Sequence, residues 1–128
     1  MFGKLGVILL VVKDVDRSMR FYRDILGLKV LFHEPPGWSQ LDAGNIQLGL
    51  HPEGNEVKVG PGTGCTFGFV VDDIRASTAD LKRKNVRFSM LPRKEDFGWI
   101  ALFTDPDGYV IQLLQMEAGK ASSAEPQT

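Results

Sequence analysis

The chain opens with an apolar block, Leu5 to Lys13, rich in Val, Ile and Leu and too short for an ordinary helix. It predicts a strand buried on both faces. Asp14 follows with a carboxylate placed to cap a helix. From there Val15, Met19, Tyr22 and Leu26 recur at helical spacing, an amphipathic stripe over about residues 15 to 26 that closes at Gly27. Leu28 to Phe32 predicts a strand, which Pro35-Pro36-Gly37 breaks. Trp38 to Leu41 and Asn45 to Leu50 then predict a hairpin around Asp42-Ala43-Gly44. The first half reads β-α-β-β-β.

Residues 52 to 64, rich in Gly and Pro and without periodicity, read as a connector. The pattern then repeats: Cys65 to Val71 a strand, Asp73 a cap, Ile74 to Lys84 a helix, then strands over Val86 to Met90, Gly98 to Thr104 and Tyr109 to Gln115. Asp105-Pro106-Asp107-Gly108 joins the last two with strong turn chemistry. Val7 and Thr66 each precede a capping aspartate by seven residues, and Ile46-Gln47-Leu48 matches Ile111-Gln112-Leu113. The second half is longer by six residues, which the pattern places in a loop from Leu91 to Phe97. The reading is an α+β domain over 1–116 made of modules 5–51 and 64–116, with 117–128 a small, polar, disordered tail.

Composition narrows the partners. Fifteen basic against sixteen acidic residues leave a net charge of -1, so no basic field exists to hold nucleic acid. The longest apolar run, Val7 to Val12, is far below the ~20 residues of a membrane span. The start of the sequence lacks the pattern of a secretory leader, and the one cysteine, Cys65, cannot form an internal disulfide, so the chain reads as cytoplasmic. Cys65 itself reads as a small buried apolar residue.

Three motifs in order, VVKDVDRSMRFYRDILGL ending at Leu28, Val70-Val71-Asp72-Asp73-Ile74, and FTDPDGYVIQL from Phe103 to Leu113, closely resemble the vicinal oxygen chelate superfamily. That superfamily includes glyoxalase I, bleomycin and fosfomycin resistance proteins and extradiol dioxygenases. The resemblance covers residues 5 to about 116 and implies two βαβββ modules whose sheets curl into an open barrel around a ligand cleft, with chains assembled as homodimers. It fixes no single function, because the fold hosts isomerases, transferases, oxygenases and plain binders.

Metal-dependent relatives use four strand positions that point into the barrel. The resemblance carries these to Val7, Gln47, Thr66 and Gln112. A valine has no lone pair, a threonine hydroxyl is a weak neutral donor, and amides bind hard cations only beside carboxylates. The expectation is therefore no metal and no cofactor. Of the two histidines, His33 is expected in a loop. His51, at the end of the Asn45 to His51 strand and on the same side as Gln47, reads either as an exposed strand-end residue or as a general base at the cleft rim.

Alternation puts Val7, Leu9 and Val11, and Thr66, Gly68 and Val70, on the face opposite the helices. Gly49 and Gly68 either open space there or allow close approach. Trp38, Trp99 and Phe103 can reach the same face as aromatic walls, or fill core or an interface between chains. The leading functional reading is metal-independent binding of a small, partly aromatic organic molecule, resembling the sequestration by bleomycin resistance proteins, in an antibiotic-resistance, transport or metabolic setting. Two enzyme readings stand beside it. One is a glyoxalase-type lyase or isomerase, or a dioxygenase, with a metal on other residues; the other is a metal-free enzyme using His51, Glu34 or Asp42.

Overall fold

The computed structural model describes residues 2–34, 37–54 and 66–117. The Pro35-Pro36 break, the connector from residue 55, Cys65 and the tail from residue 118 lie outside the described residues. The chain divides into two compact units, Met1–Pro61 and Gly62–Thr128.

The first unit runs β1 (Val7–Val12), α1 (Val15–Arg20), a π-helical turn (Phe21–Ile25), β2 (Lys29–His33), β3 (Ser39–Asp42) and β4 (Gln47–Pro52). Its sheet has the order β1-β4-β3-β2, with β1 parallel to β4 and the other pairs antiparallel. The second runs β5 (Phe67–Val70), α2 (Ile74–Arg83), β6 (Phe88–Glu95), β7 (Gly98–Thr104) and β8 (Val110–Met116), in the order β5-β8-β7-β6. Each unit is thus βαβββ, an α+β arrangement in which the helix carries the chain from one edge of the sheet to the other and the last strand returns parallel to the first. Neither sheet closes on itself: β1 and β2 are the edges of one, β5 and β6 of the other.

Both predicted caps form. Asp14 accepts from the Arg17 amide at 3.0 Å, and Asp73 accepts from the Arg75 and Ala76 amides at 3.1 Å. The first helix departs from the expected continuous α-helix at Phe21, where the Leu26 amide donates to the Phe21 carbonyl five residues back. Phe21 and Tyr22 are both buried there, ring against ring at 5.1 Å. The wider turn brings successive side chains closer around the helix axis than an α-helical turn does, and both aromatics are covered.

In each unit the helix lies on one sheet face and makes the core. Leu10, Val12, Leu41, Leu48 and Leu50 are buried with Val15, Met19 and Tyr22 in the first; Ala101, Phe103, Ile111 and Leu113 with Ile74 and Leu81 in the second. The other faces stay open. Val7 and Leu9 are 41% and 46% exposed, so β1 is covered on one face and not on both as its composition suggested.

The extra length of the second half is not a loop. Residues 91–95 continue β6, and Asp96 and Phe97 alone turn the chain into β7. The pairing slips between Met90 and Arg93, which leaves Pro92 in an irregularity of an edge strand, where its missing N–H disturbs no ladder. Gly98 closes the turn at φ +146°, and a Cβ there would meet the Gln115 carbonyl at 1.9 Å. The Asp105 to Gly108 turn forms as expected, with the Asp105 carboxylate accepting from the Asp107 and Tyr109 amides, each at 2.9 Å.

Candidate functional site

The open face of the first module is built by register. Val7, Leu9 and Val11 of β1 stand beside Gln47, Gly49 and His51 of β4, and Gln40 and Asp42 of β3 stand beside Gly49 and Gln47. Strand alternation therefore brings Val7, Gln47 and Asp42 into one row and Leu9, Gly49 and Gln40 into the next.

Gly49 settles how the second row is used. A Cβ there would lie 2.9 Å from the Trp38 ring and 3.1 Å from Leu9, so the glycine serves close approach: the indole lies on the strand. The Trp38 indole N–H donates to Gln40 Oε1 at 3.1 Å, and the ring meets His51 edge to face at 6.3 Å. His51 Nδ1 lies 2.7 Å from the Pro52 carbonyl, which can only accept, so Nδ1 carries a proton and donates it there.

Beyond the Trp38 platform a cavity of about 580 Å³ opens over the first row. Val7 and Gln47 form part of its wall together with Leu31, Gln40 and Asp42. Lys4, Leu5 and Gly6 close one side, and Gly44, Asn45 and Ile46 of the β3–β4 turn close another. The Gly6 carbonyl accepts from the Gln47 amide at 3.1 Å, which ties the N-terminal segment against β4. Asp42 gives one carboxylate oxygen to the Gly44 amide at 2.8 Å and keeps the other. The volume is that of a small-molecule site, apolar on some walls with a few directed polar groups. Lys4, Leu31 and Gln40 were not singled out in the sequence. Alternation along β3 opposite Gln47 was the signal that would have found Gln40.

The open face of the second module is filled more closely. Gly68 faces Gln112, and a Cβ on Gly68 would meet Gln112 and Leu114 at 3.0–3.1 Å. The Thr66 hydroxyl donates to the Val110 carbonyl at 2.8 Å. Thr66 and Gln112 share a face but stand diagonally, whereas Val7 and Gln47 are direct partners.

Trp99 and Phe103 stand on the opposite face from Gln112. Phe103, 0% exposed, pairs with Ile111 and packs on Phe88 at 5.4 Å. Trp99 pairs with Gln115 and lies beneath the α2 residue Arg75, whose guanidinium is 5.2 Å from the ring centroid. Gln115 Oε1 accepts from the Ile74 amide at the start of α2, which confirms that this is the helix-covered side. The structure thus separates these two aromatics from Gln112 and Gly68.

His33 is not in a loop. It ends β2, with Nδ1 hydrogen-bonded to the Ser39 hydroxyl and Nε2 3.3 Å from Asp16. The Ser–His–Asp sequence of contacts has the connectivity of a nucleophilic relay, but Ser39 is 0% exposed. No substrate reaches its hydroxyl, and the cluster instead ties β2 and β3 to α1.

Among the described residues no group of three His, Cys, Asp or Glu side chains converges to hold a metal ion. The four family positions carry no imidazole, thiolate or carboxylate. Taken singly, an alkyl group, a hydroxyl already engaged and two amides are each poor ligands for a transition-metal ion, and the residues present do not fit one. No described helix is long and apolar enough to cross a membrane.

Paired βαβββ modules with this motif order define a class, and the match to the Glyoxalase/Bleomycin resistance protein/Dioxygenase superfamily over residues 4–113 makes it definite. The chain belongs to that superfamily. It is 29% identical to a probable lactoylglutathione lyase of Vibrio parahaemolyticus, across 93% of this chain and 95% of that one. Among solved structures it is similar to TnmS3, an antibiotic binding protein from a Streptomyces species, with TM-score 0.77, 25% identity and coverage of 91% and 98%. A glyoxalase/bleomycin resistance protein from the same genus gives TM-score 0.71 at 26% identity, over 88% and 100% of the two chains.

Proposed function

We propose that this chain is a cytoplasmic, metal-independent binder of a small, partly aromatic organic molecule, and that the ligand occupies the first module's cavity against the Trp38 platform. The observation that carries the reading is the donor set. Val7 and Gln47 wall the cavity at positions where metal-dependent relatives place ligands, and they offer a ligand apolar surface and an amide. Similarity to an antibiotic binding protein supports it. The ligand-facing set is Val7, Leu9, Trp38, Gln47 and His51, joined by Gln40 and Asp42, with Gly49 beneath the indole as its seat. In the second module Thr66, Gly68 and Gln112 remain candidates on the open face.

The names of relatives favour a second reading, a lyase acting on lactoylglutathione. One preparation tests both. Purified without chelator, the protein is expected to hold no stoichiometric Zn, Ni, Mn or Fe and to form no lactoylglutathione when these ions are added. Aromatic antibiotics and naphthalene probes are expected to quench its tryptophan emission. One equivalent of metal that survives dialysis, and whose removal abolishes formation of lactoylglutathione, overturns the binder reading.

A further inference from the structure

An indole N–H can only donate, so the 3.1 Å contact from Trp38 Nε1 identifies the Gln40 atom it meets as the carbonyl oxygen, Oε1. That oxygen is engaged by Trp38. The oxygen end of the amide is thereby turned to the indole, and the NH₂ end, with its two donors, is the end left to a ligand on a side chain that walls the cavity. Ordinarily a glutamine amide can turn over and present either end to a ligand. Here a turn would set an NH₂ against an N–H and forfeit the bond.

The surroundings hold that arrangement. Gly49, the β4 partner of Gln40, has no side chain, and the Trp38 ring lies in the space a Cβ would occupy. His51, two residues along β4 from Gly49, meets the indole edge to face. Asp42, the next open-face residue along β3, presents a carboxylate oxygen that can only accept. Donor and acceptor therefore stand in fixed order along one strand.

We infer that Gln40 determines specificity by selecting ligands with a carbonyl-type acceptor oxygen on the aromatic portion, and that Trp38 acts as the positioning residue that fixes the amide. The inference rests on the binding reading above and deepens it: the ligand class is carbonyl-bearing arenes rather than arenes in general. An unmade bond leaves the amide donors facing an apolar group, so the preference is expressed against hydrocarbon analogues of the same shape.

Calorimetric titration with 2-acetonaphthone and 2-ethylnaphthalene, which differ in the carbonyl oxygen, tests it. Wild-type protein should bind the ketone at least roughly fivefold more tightly, the equivalent of one hydrogen bond of about 1 kcal/mol. In Gln40→Glu the Trp38 bond survives, because Oε1 still accepts, but the cavity-facing atom becomes an acceptor. The ketone should then lose its advantage and bind no better than the hydrocarbon. Gln40→Met, which keeps the length without the donors, should bring the two probes to parity and covers the case in which the glutamate variant does not fold. Equal affinities in wild type, or a preference that persists in both variants, overturns the role of Gln40 and leaves the binder reading standing. Binding of neither probe overturns both.

Discussion

At the residue scale, the two tryptophans have opposite fates. Trp38 lies on the open face against Gly49, and Trp99 lies under Arg75 on the helix side. Ligand-induced quenching should therefore persist in Trp99→Phe and disappear in Trp38→Phe, measured by titration of each variant. Gly49→Ala should displace the indole, because the ring already stands 2.9 Å from the position of the new methyl. Overpacking of this kind destabilises by about 1–3 kcal/mol, and denaturant unfolding with the emission maximum of Trp38 would report both the loss and the shift. Two polar groups in the cores behave differently. The Ser39 hydroxyl is fully buried and has His33, so His33→Ala should lower stability by about 1–3 kcal/mol, with part of it regained in the double variant with Ser39→Ala. The Thr78 hydroxyl is buried with no partner among the described residues, so Thr78→Val should raise stability by on the order of 1 kcal/mol in the same assay.

At the element scale, α2 ends in a charge cluster that links stability to pH. Lys84 hydrogen-bonds Asp80 at 3.1 Å one turn away and holds its carboxyl below the usual value, with Arg83 adding to the effect. A folded value below the unfolded one means that the pair stabilises the helix above the ordinary carboxylate range. That contribution is lost as pH falls through the lowered folded value. Asp24, held down by its hydrogen bond to Arg23, follows the same sign. Melting temperatures recorded on acidification should fall less in Asp80→Asn than in wild type, and the difference in slope should vanish once the Asp80 carboxyl of the wild type is protonated. The helices are also where local pattern reads most reliably. Asp14 and Asp73 are caps because a short carboxylate before an apolar stripe has one good use, the free amides of the first turn. The π-helical turn at Phe21 was not readable from spacing, since it depends on what covers both aromatics.

At the scale of the whole molecule, each sheet leaves one face open and two edges unpaired among the described residues. Phe32 in one module and Val70 and Leu91 in the other are large apolar side chains exposed on strands and outside the cavity. Surfaces of this kind are covered in stable proteins, and we propose that a second copy of the chain contributes the cover. Light scattering at micromolar concentration should give twice the 14.2 kDa chain mass. A monomer at that concentration would remove the proposal and leave the cavity of the first module unaffected, since its walls come from one unit.

The division of labour between sequence and structure follows from the range of the forces involved. Caps, turns and strand alternation act over a few residues, so the two βαβββ repeats, the Asp105 turn and the side of β1 on which Val7 and Leu9 fall were all legible in the sequence. The unsuitability of Val7, Gln47, Thr66 and Gln112 for a metal was legible too, because it is a matter of side-chain chemistry alone. Which face Trp99 and Phe103 occupy depends on the pairing of β7 with β8, and one residue of register inverts the answer. Whether Gly49 opens space or admits a neighbour depends on where Trp38 folds, a contact across eleven residues that no local pattern encodes. The orientation of the Gln40 amide is settled by a single donor arriving from Trp38. Alternation can place that glutamine on the open face, but only packing decides which of its two ends meets a ligand.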